Sequence, residues 1–243
     1  TTVSDGKMTP EAVKAFYKAR GYSVVAFTDH EILVSHSELT DEEFIAITGG
    51  EFCVTGHVVN SIPICYHLNF LAKRPELVIT SSFTEKMVTK AQVDAYVTEE
   101  MRAYDDPRIY SVEHVNDMIS RAQREEFLVA YNHPVWSTQN YSDYIGLEGV
   151  WGVECYNHSA ASEGLEDSMQ PMEDLLHRDR QIFPLATDDA HYPEFCCGGF
   201  VMVKAAALTY ETIMNALERG DFYASTGPKF QELALEGNIL KLG

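Results

Sequence analysis

The sequence predicts an α/β protein built on buried parallel strands, and three observations lead there. Short runs such as Ser23-Val24-Val25-Ala26-Phe27-Thr28 and Phe127-Leu128-Val129-Ala130-Tyr131 are apolar without alternation, the pattern of strands covered on both faces. Amphipathic helical stretches separate these runs. The length of 243 residues suits one α/β barrel of about 250 residues. A 45% hydrophobic, 11% aromatic composition supports a sizeable core and excludes disorder as the dominant state.

Thr9-Pro10-Glu11 starts a helix, with a capping Thr, Pro at the first helical position and an acid behind it. That helix runs through Ala15, Phe16 and Ala19 and should stop at Gly21. The strand at 23–28 ends in Asp29-His30-Glu31, and a second at 44–48 ends in Gly49-Gly50-Glu51. Ile62 to Leu71 is a third, with His67 inside it. Residues 75–125 read as mostly helical. Ser111 caps a helix whose apolar face is Val115, Met118, Ile119 and Ala122. Further strands are expected at 127–131, ending in Asn132-His133-Pro134, at 149–156, carrying Glu154, and at 182–187, ending in Asp188-Asp189-Ala190-His191. Helices are expected at about 168–180 and 209–219, with a strand at 200–203 between them. From Phe222 to Leu240 the chain turns at Thr226-Gly227-Pro228 and alternates as antiparallel strand. No linker or repeat interrupts this, so residues 1–243 read as a single domain with a short β-rich extension over about 222–243.

Acids outnumber bases 37 to 18, for a net charge of −19. That balance argues against long nucleic acid or an anionic membrane as the partner, because both demand basic patches. An acidic protein handles an anionic substrate when bound cations reverse the charge locally. No apolar run reaches ~18 residues, so no membrane helix is expected, and no leader peptide is expected either. The five cysteines, Cys53, Cys65, Cys155, Cys196 and Cys197, are odd in number and lack a Cys-x-x-Cys pair. A reducing, cytoplasmic setting is the expectation. Nothing in the sequence sets an oligomeric state.

The chemistry collects where apolar strands end: Asp29-His30, Glu51, His133 and Asp189-x-His191. In parallel α/β folds those ends form the functional face. Imidazole and carboxylate together suit Zn, Mn or Fe, and a carboxylate bridging two ions is a device of hydrolytic sites. Taken one at a time, each residue is more often a strand cap or a hydrogen-bonding side chain than a ligand. Their recurrence at successive strand ends is what points to metal.

The ordered motifs Thr1-Thr2-Val3-Ser4-Asp5-Gly6, Thr9-Pro10-Glu11, Phe27-Thr28-Asp29-His30, Gly49-Gly50-Glu51, His67-Leu68-Asn69, Asn132-His133-Pro134 and Thr187-Asp188-Asp189-Ala190-His191 resemble those of the PHP (polymerase and histidinol phosphatase) superfamily. The stretch from Leu208 to Pro228 is similar to the end of its stand-alone phosphoesterases. The resemblance implies a distorted, TIM-like (β/α)7 barrel with two or three divalent ions at its rim. It implies Glu51 as the bridging carboxylate, with His67 and His133 beside it on one ion and Asp189 beside it on another. His30 and His191, helped by Asp5, would hold a third, and Asp29 would orient a ligand. It places the family's first strand, ending in His-x-His, upstream of Thr1. The implied reaction is hydrolysis of a small phosphate ester or nucleotide by a metal-bridging hydroxide, with no protein nucleophile. An amidohydrolase-like metal hydrolase and a non-catalytic module are the alternatives.

Outside these motifs, His57 follows Glu51 near the expected rim and is a candidate for touching substrate. Glu154 and Asn157 end a strand on that rim, either as strand-end hydrogen-bond partners or as contacts to a ligand or substrate. Lys73, Arg74 and Arg102 are the cations nearest the rim in this scheme, with a solvated surface as the competing reading of each. Trp136 reads as a packing aromatic or a pocket wall. His114 and His177 read as helix-surface residues, and Cys196-Cys197 as structural.

Overall fold

A computed structural model of the chain describes residues 1–59, 62–78, 88–101, 107–165, 168–178 and 180–243. Its centre is a curled six-stranded half-barrel sheet in the order β1 (Val24–Phe27), β2 (Ile45–Val59), β3 (Ile62–Ala72), β4 (Phe127–Tyr131), β5 (Gly152–Asn157), β6 (Phe183–Thr187). Two antiparallel pairs stand beside it: β7 (Phe200–Val203) with β8 (Phe222–Ser225), and β9 (Leu233–Glu236) with β10 (Ile239–Leu242).

The expected helix starts hold. Thr9 Oγ1 accepts the Ala12 N–H at the head of α1 (Pro10–Lys18), and Gly21 follows with φ +85°. Ser111 caps α3 (Val112–Arg124), which buries Val115, Met118, Ile119 and Ala122. The helical reading of 75–125 holds only in part. Among the described residues it yields α2 (Lys90–Tyr96) and α3, while 79–87 and 102–106, Arg102 included, lie outside them. The remaining helices are α4 (Tyr141–Tyr144), α5 (His158–Ser162), α6 (Gln170–Leu176) and α7 (Tyr210–Arg219).

The sheet is mixed, which corrects the parallel expectation. β1 pairs with β2, β4 with β5, and β5 with β6 in parallel, but β3 runs antiparallel to both neighbours. Two residues separate β2 from β3. A connection that short cannot cross over to a parallel position and forces a hairpin. The second strand also runs on to Val59, so Glu51 lies inside a 15-residue strand and not at its end. β1 departs from full burial as well: Ala26 is exposed, because β1 is an edge of the sheet.

Side-chain alternation divides the two faces. The convex face sends Phe52, Tyr66, Phe70, Phe127 and Val129 against α3 and α6. The concave face carries Ile45, Ile47, Leu71, Leu128 and Ala130 at its lower end, closed by Ile213, Met214 and Leu217 of α7. Moving up the same face, Glu51 follows Ile47 at even spacing, His67 precedes Leu71, and Asn132 follows Ala130. One strand register therefore gives an apolar floor and a polar upper end. A cavity of about 590 Å³ runs between them, from Asp5, His30 and Glu51 down to Val24, Trp151 and Leu185. No helix of the described residues is long and apolar enough to cross a membrane. All five cysteines are free thiols.

Candidate metal centre

Glu51 is the hub. It is 4% exposed, and three imidazoles surround its carboxylate. His67 Nδ1 lies 3.1 Å and His133 Nε2 3.3 Å from Oε1, and His30 Nδ1 lies 3.5 Å from Oε2. The Asn132 amide donates to Oε1 at 2.8 Å. Gly49 and Gly50 make room for this arrangement. A Cβ on Gly49 would meet Leu71, Phe70 and Thr28 at 3.1 Å, and one on Gly50 would crowd the Phe52 ring and the Ile32 carbonyl. A larger residue at either position would push the 28–32 loop or β3 back by a few tenths of an ångström.

A second trio shares His30 with the first. Asp5 Oδ2 lies 3.5 Å from His191 Nε2 and 3.9 Å from His30 Nε2. In each of the trios His30–Glu51–His67 and Asp5–His30–His191, one ligand atom per residue lies within 4.8 Å of the others. Asp189 stands between the trios. Its Oδ2 is 3.9 Å from His133 Nε2, and its Oδ1 is 3.6 Å from His191 Nδ1.

The charges hold one another in place. Burial would push Glu51 up, but His30, His67 and His133 overcome it and hold the carboxyl well below its usual range. His67 is driven well above its ordinary value by Glu51, against the effect of burial. Burial likewise lowers His133, yet its bond to Glu51 raises it to about 9. His191, hydrogen-bonded to Asp5, also rises to about 9. For Asp5, burial opposes and His191 favours the charged form, which wins at about 2. Glu154 behaves differently, since burial raises it to about 7.

The donor set fits divalent cations. Imidazoles mixed with carboxylates suit Zn, Mn or Fe. The buried His30 Nδ1, Asn69 Oδ1 and Asn132 Oδ1 have no hydrogen-bond partner, although buried polar atoms ordinarily have one. The backbone is also strained here. Among non-glycine residues with positive φ are Glu31 (57°), His133 (27°) and Asp189 (49°), a conformation that costs of order 1–3 kcal/mol per residue and clusters at functional sites.

The other sequence-predicted residues fall around this centre. Glu154 accepts the His133 N–H at 3.0 Å, the Asn157 amide at 3.1 Å and the Thr187 hydroxyl at 2.8 Å. Asn157 also reaches Asp189 at 3.2 Å. Asp29 meets no ligand side chain; its carboxylate accepts from Thr1 Oγ1 and Ser4 Oγ, at 3.0 and 2.9 Å. Its carbonyl takes the Glu51 N–H at 3.1 Å. His57 is exposed high on the β2–β3 hairpin, 6.5 Å from the Tyr110 ring, and outside the cluster. Lys73 and Arg74 follow the lower end of antiparallel β3 and pair with Glu218 and Glu126, so they do not stand above the site. Trp136 packs against two of the imidazoles, with its ring 5.1 Å from His133 and 5.8 Å from His67.

Sequence reasoning missed Asn132 as a partner of Glu51. Its place directly before His133 at a strand end was the available signal. It also missed Asp188, whose buried carboxylate accepts the N–H groups of Cys197, Gly198 and Gly199 and the Tyr17 hydroxyl. Asp188 thereby fixes the base of the loop that presents Asp189 and His191.

No family model matches the chain, and no curated protein matches it. Solved structures that the chain matches include two at low identity. One, from Bifidobacterium adolescentis, is provisionally assigned as a metal-dependent phosphoesterase. It is 16% identical at a TM-score of 0.49, over 79% of this chain and 86% of that one. The other is an amidohydrolase from Chromobacterium violaceum with bound sulfate and no metal. It is 18% identical at a TM-score of 0.47, over 79% of this chain and 85% of that one. At these values the functional argument rests on the side chains.

Proposed function

We propose that the chain is a metal-dependent hydrolase of small phosphate esters, on a distorted (β/α)7 barrel of the PHP type. The observation behind this reading is the Glu51 carboxylate ringed by His30, His67 and His133, with His30 shared by the Asp5–His191 trio. The curled sheet supports the barrel. Among the described residues β1 is an edge of that sheet.

Glu51, His67 and His133 would hold one cation; Asp5, His30 and His191 a second; Asp189 with Glu51 a further one. When bound, such ions supply Lewis acidity and positive charge toward an anionic substrate. That resolves the mismatch between a phosphate ester and a protein of net charge −19. The chain's own residues do the positioning. Glu154 fixes the backbone of His133, and Asn157 ties Glu154 to Asp189. Trp136 packs against the His67 and His133 rings. The cavity of about 590 Å³ is of a size for a small molecule.

The test is metal analysis of the full chain, followed by hydrolysis assays with Mn, Zn or Fe on phosphate monoesters and diesters and on amides. Release of phosphate or alcohol that stops with chelator and returns with metal is expected. Metal-dependent cleavage of amides alone would move the reading to an amidohydrolase, and tight metal binding without turnover to a non-catalytic module.

A further inference from the structure

We infer that Glu31 and Arg108 are positioning residues that hold the His30–Glu51 pair in register, an inference that rests on reading those two as metal ligands. The β1–β2 ladder ends at Phe27 and Thr48. Beyond it a single bridge joins His30 to Glu51: the Glu31 N–H donates to the Glu51 carbonyl at 2.8 Å, and the Glu51 N–H to the Asp29 carbonyl at 3.1 Å. Glu51 therefore turns its backbone groups toward the β1 side. By alternation, the next residue of β2 to do so is Cys53, at a point where β1 has no residue left to pair with it.

Two side chains take the vacant ladder positions. Glu31 Oε1 accepts the Cys53 N–H at 2.8 Å, and Arg108 Nη1 donates to the Cys53 carbonyl. The two side chains are themselves joined, Arg108 Nη2 to Glu31 Oε2, at 2.6 Å. Both are buried, Glu31 at 0% and Arg108 at 6% exposure, and both hold left-handed backbones, at φ +57° and +49°. Glu31 thus binds Glu51 through its main chain and Cys53 through its carboxylate. Arg108 fixes that carboxylate from a segment 77 positions away. The ion pair continues the sheet in side-chain form for one step past its last strand pair. The angle at which His30 approaches Glu51 depends on that step.

A pair that merely stabilised the fold would, when broken, lower stability and leave metal affinity alone. Manganese and zinc titrations into the chelator-stripped full chain separate the two, run well below each variant's unfolding midpoint. Glu31→Gln and Arg108→Met are expected to fold by circular dichroism and to bind metal about 10–100-fold more weakly, the range typical for groups that orient ligands. Arg108→Lys, which keeps the charge but not the fork, should recover part of that loss. Met118→Ala, in the convex core, should lose stability without losing affinity. Should Arg108→Met fail to fold, Arg108→Lys and Glu31→Gln carry the same comparison. Folded variants that bind metal as tightly as the unmodified chain, or a Met118→Ala control that weakens equally, would overturn the inference. An unmodified chain that takes up no metal would overturn the metal reading itself, and this inference with it.

Discussion

The Glu51–His67–His133 trio and the Asp5–His30–His191 trio are built differently. Glu51, His67 and His133 are 3–6% exposed and sit on or directly after strands of the sheet. Asp5 and His191 come from loops, with side chains 43% and 28% exposed. A strand ligand is held by its ladder, so its position survives without the metal. A loop ligand is held by a few specific bonds, here the Asp188 carboxylate under the 189–199 loop. The buried trio should therefore be the permanent site and the open trio the exchangeable one.

The largest expected effect is at Glu51. Glu51→Gln removes a negative charge that three imidazoles share, so metal retention should fall by more than ~100-fold and turnover should disappear with the fold intact. Asp5→Asn, in the open trio, should cost about tenfold or less, restored by excess metal. Metal titrations on both variants check this, and equal losses would erase the distinction. Next in size is Glu154→Gln. It weakens the hold on the His133 N–H and should reduce affinity about 10–100-fold, mainly at the buried trio.

A third effect concerns pH in chelator-treated protein. His133 and His191 are raised from 6.5 to about 9 in the folded state. A raised imidazole value gives stabilisation that is full below 6.5 and is lost as pH rises through about 9. The unfolding midpoint of the metal-free chain should therefore drop across that window. His191→Gln should flatten only part of the drop, leaving the part due to His133. The smallest effect is expected at His57, which stands outside both trios. His57→Ala should leave metal content unchanged and alter KM more than kcat; a loss of metal would place it in the centre after all.

His30, His133, Asp189 and His191 were legible because each closely follows an apolar run, at the end of a strand. Glu51 was read the same way, although its strand runs on past it to Val59. The antiparallel β3 was not read, because an apolar strand looks the same in either direction and only the two-residue gap before Ile62 gave it away. Lys73 and Arg74 follow the far end of that strand and form surface ion pairs, the solvated reading of each. Asp188 was missed for another reason. Adjacent acids in Asp188-Asp189 look alike in sequence, and only the backbone N–H groups of residues 197–199 decide which one turns inward. The Glu31–Arg108 pair joins residues 77 apart and has no local signature at all.

The indole beside the buried trio also makes the molecule its own indicator. The chain has two tryptophans. Trp151 is enclosed, with its indole N–H on the Leu217 carbonyl at 2.9 Å, and should emit steadily whatever occupies the centre. Trp136 faces two imidazoles, His67 and His133, whose protonated forms the Glu51 carboxylate favours when no cation competes for them. Imidazolium rings quench indole emission, and uncharged ones do so far less. Loading the buried trio with zinc should thus brighten Trp136 alone, and Trp136→Phe should abolish the change. Filling of the buried trio could then be followed in real time, by light from a residue that binds nothing itself.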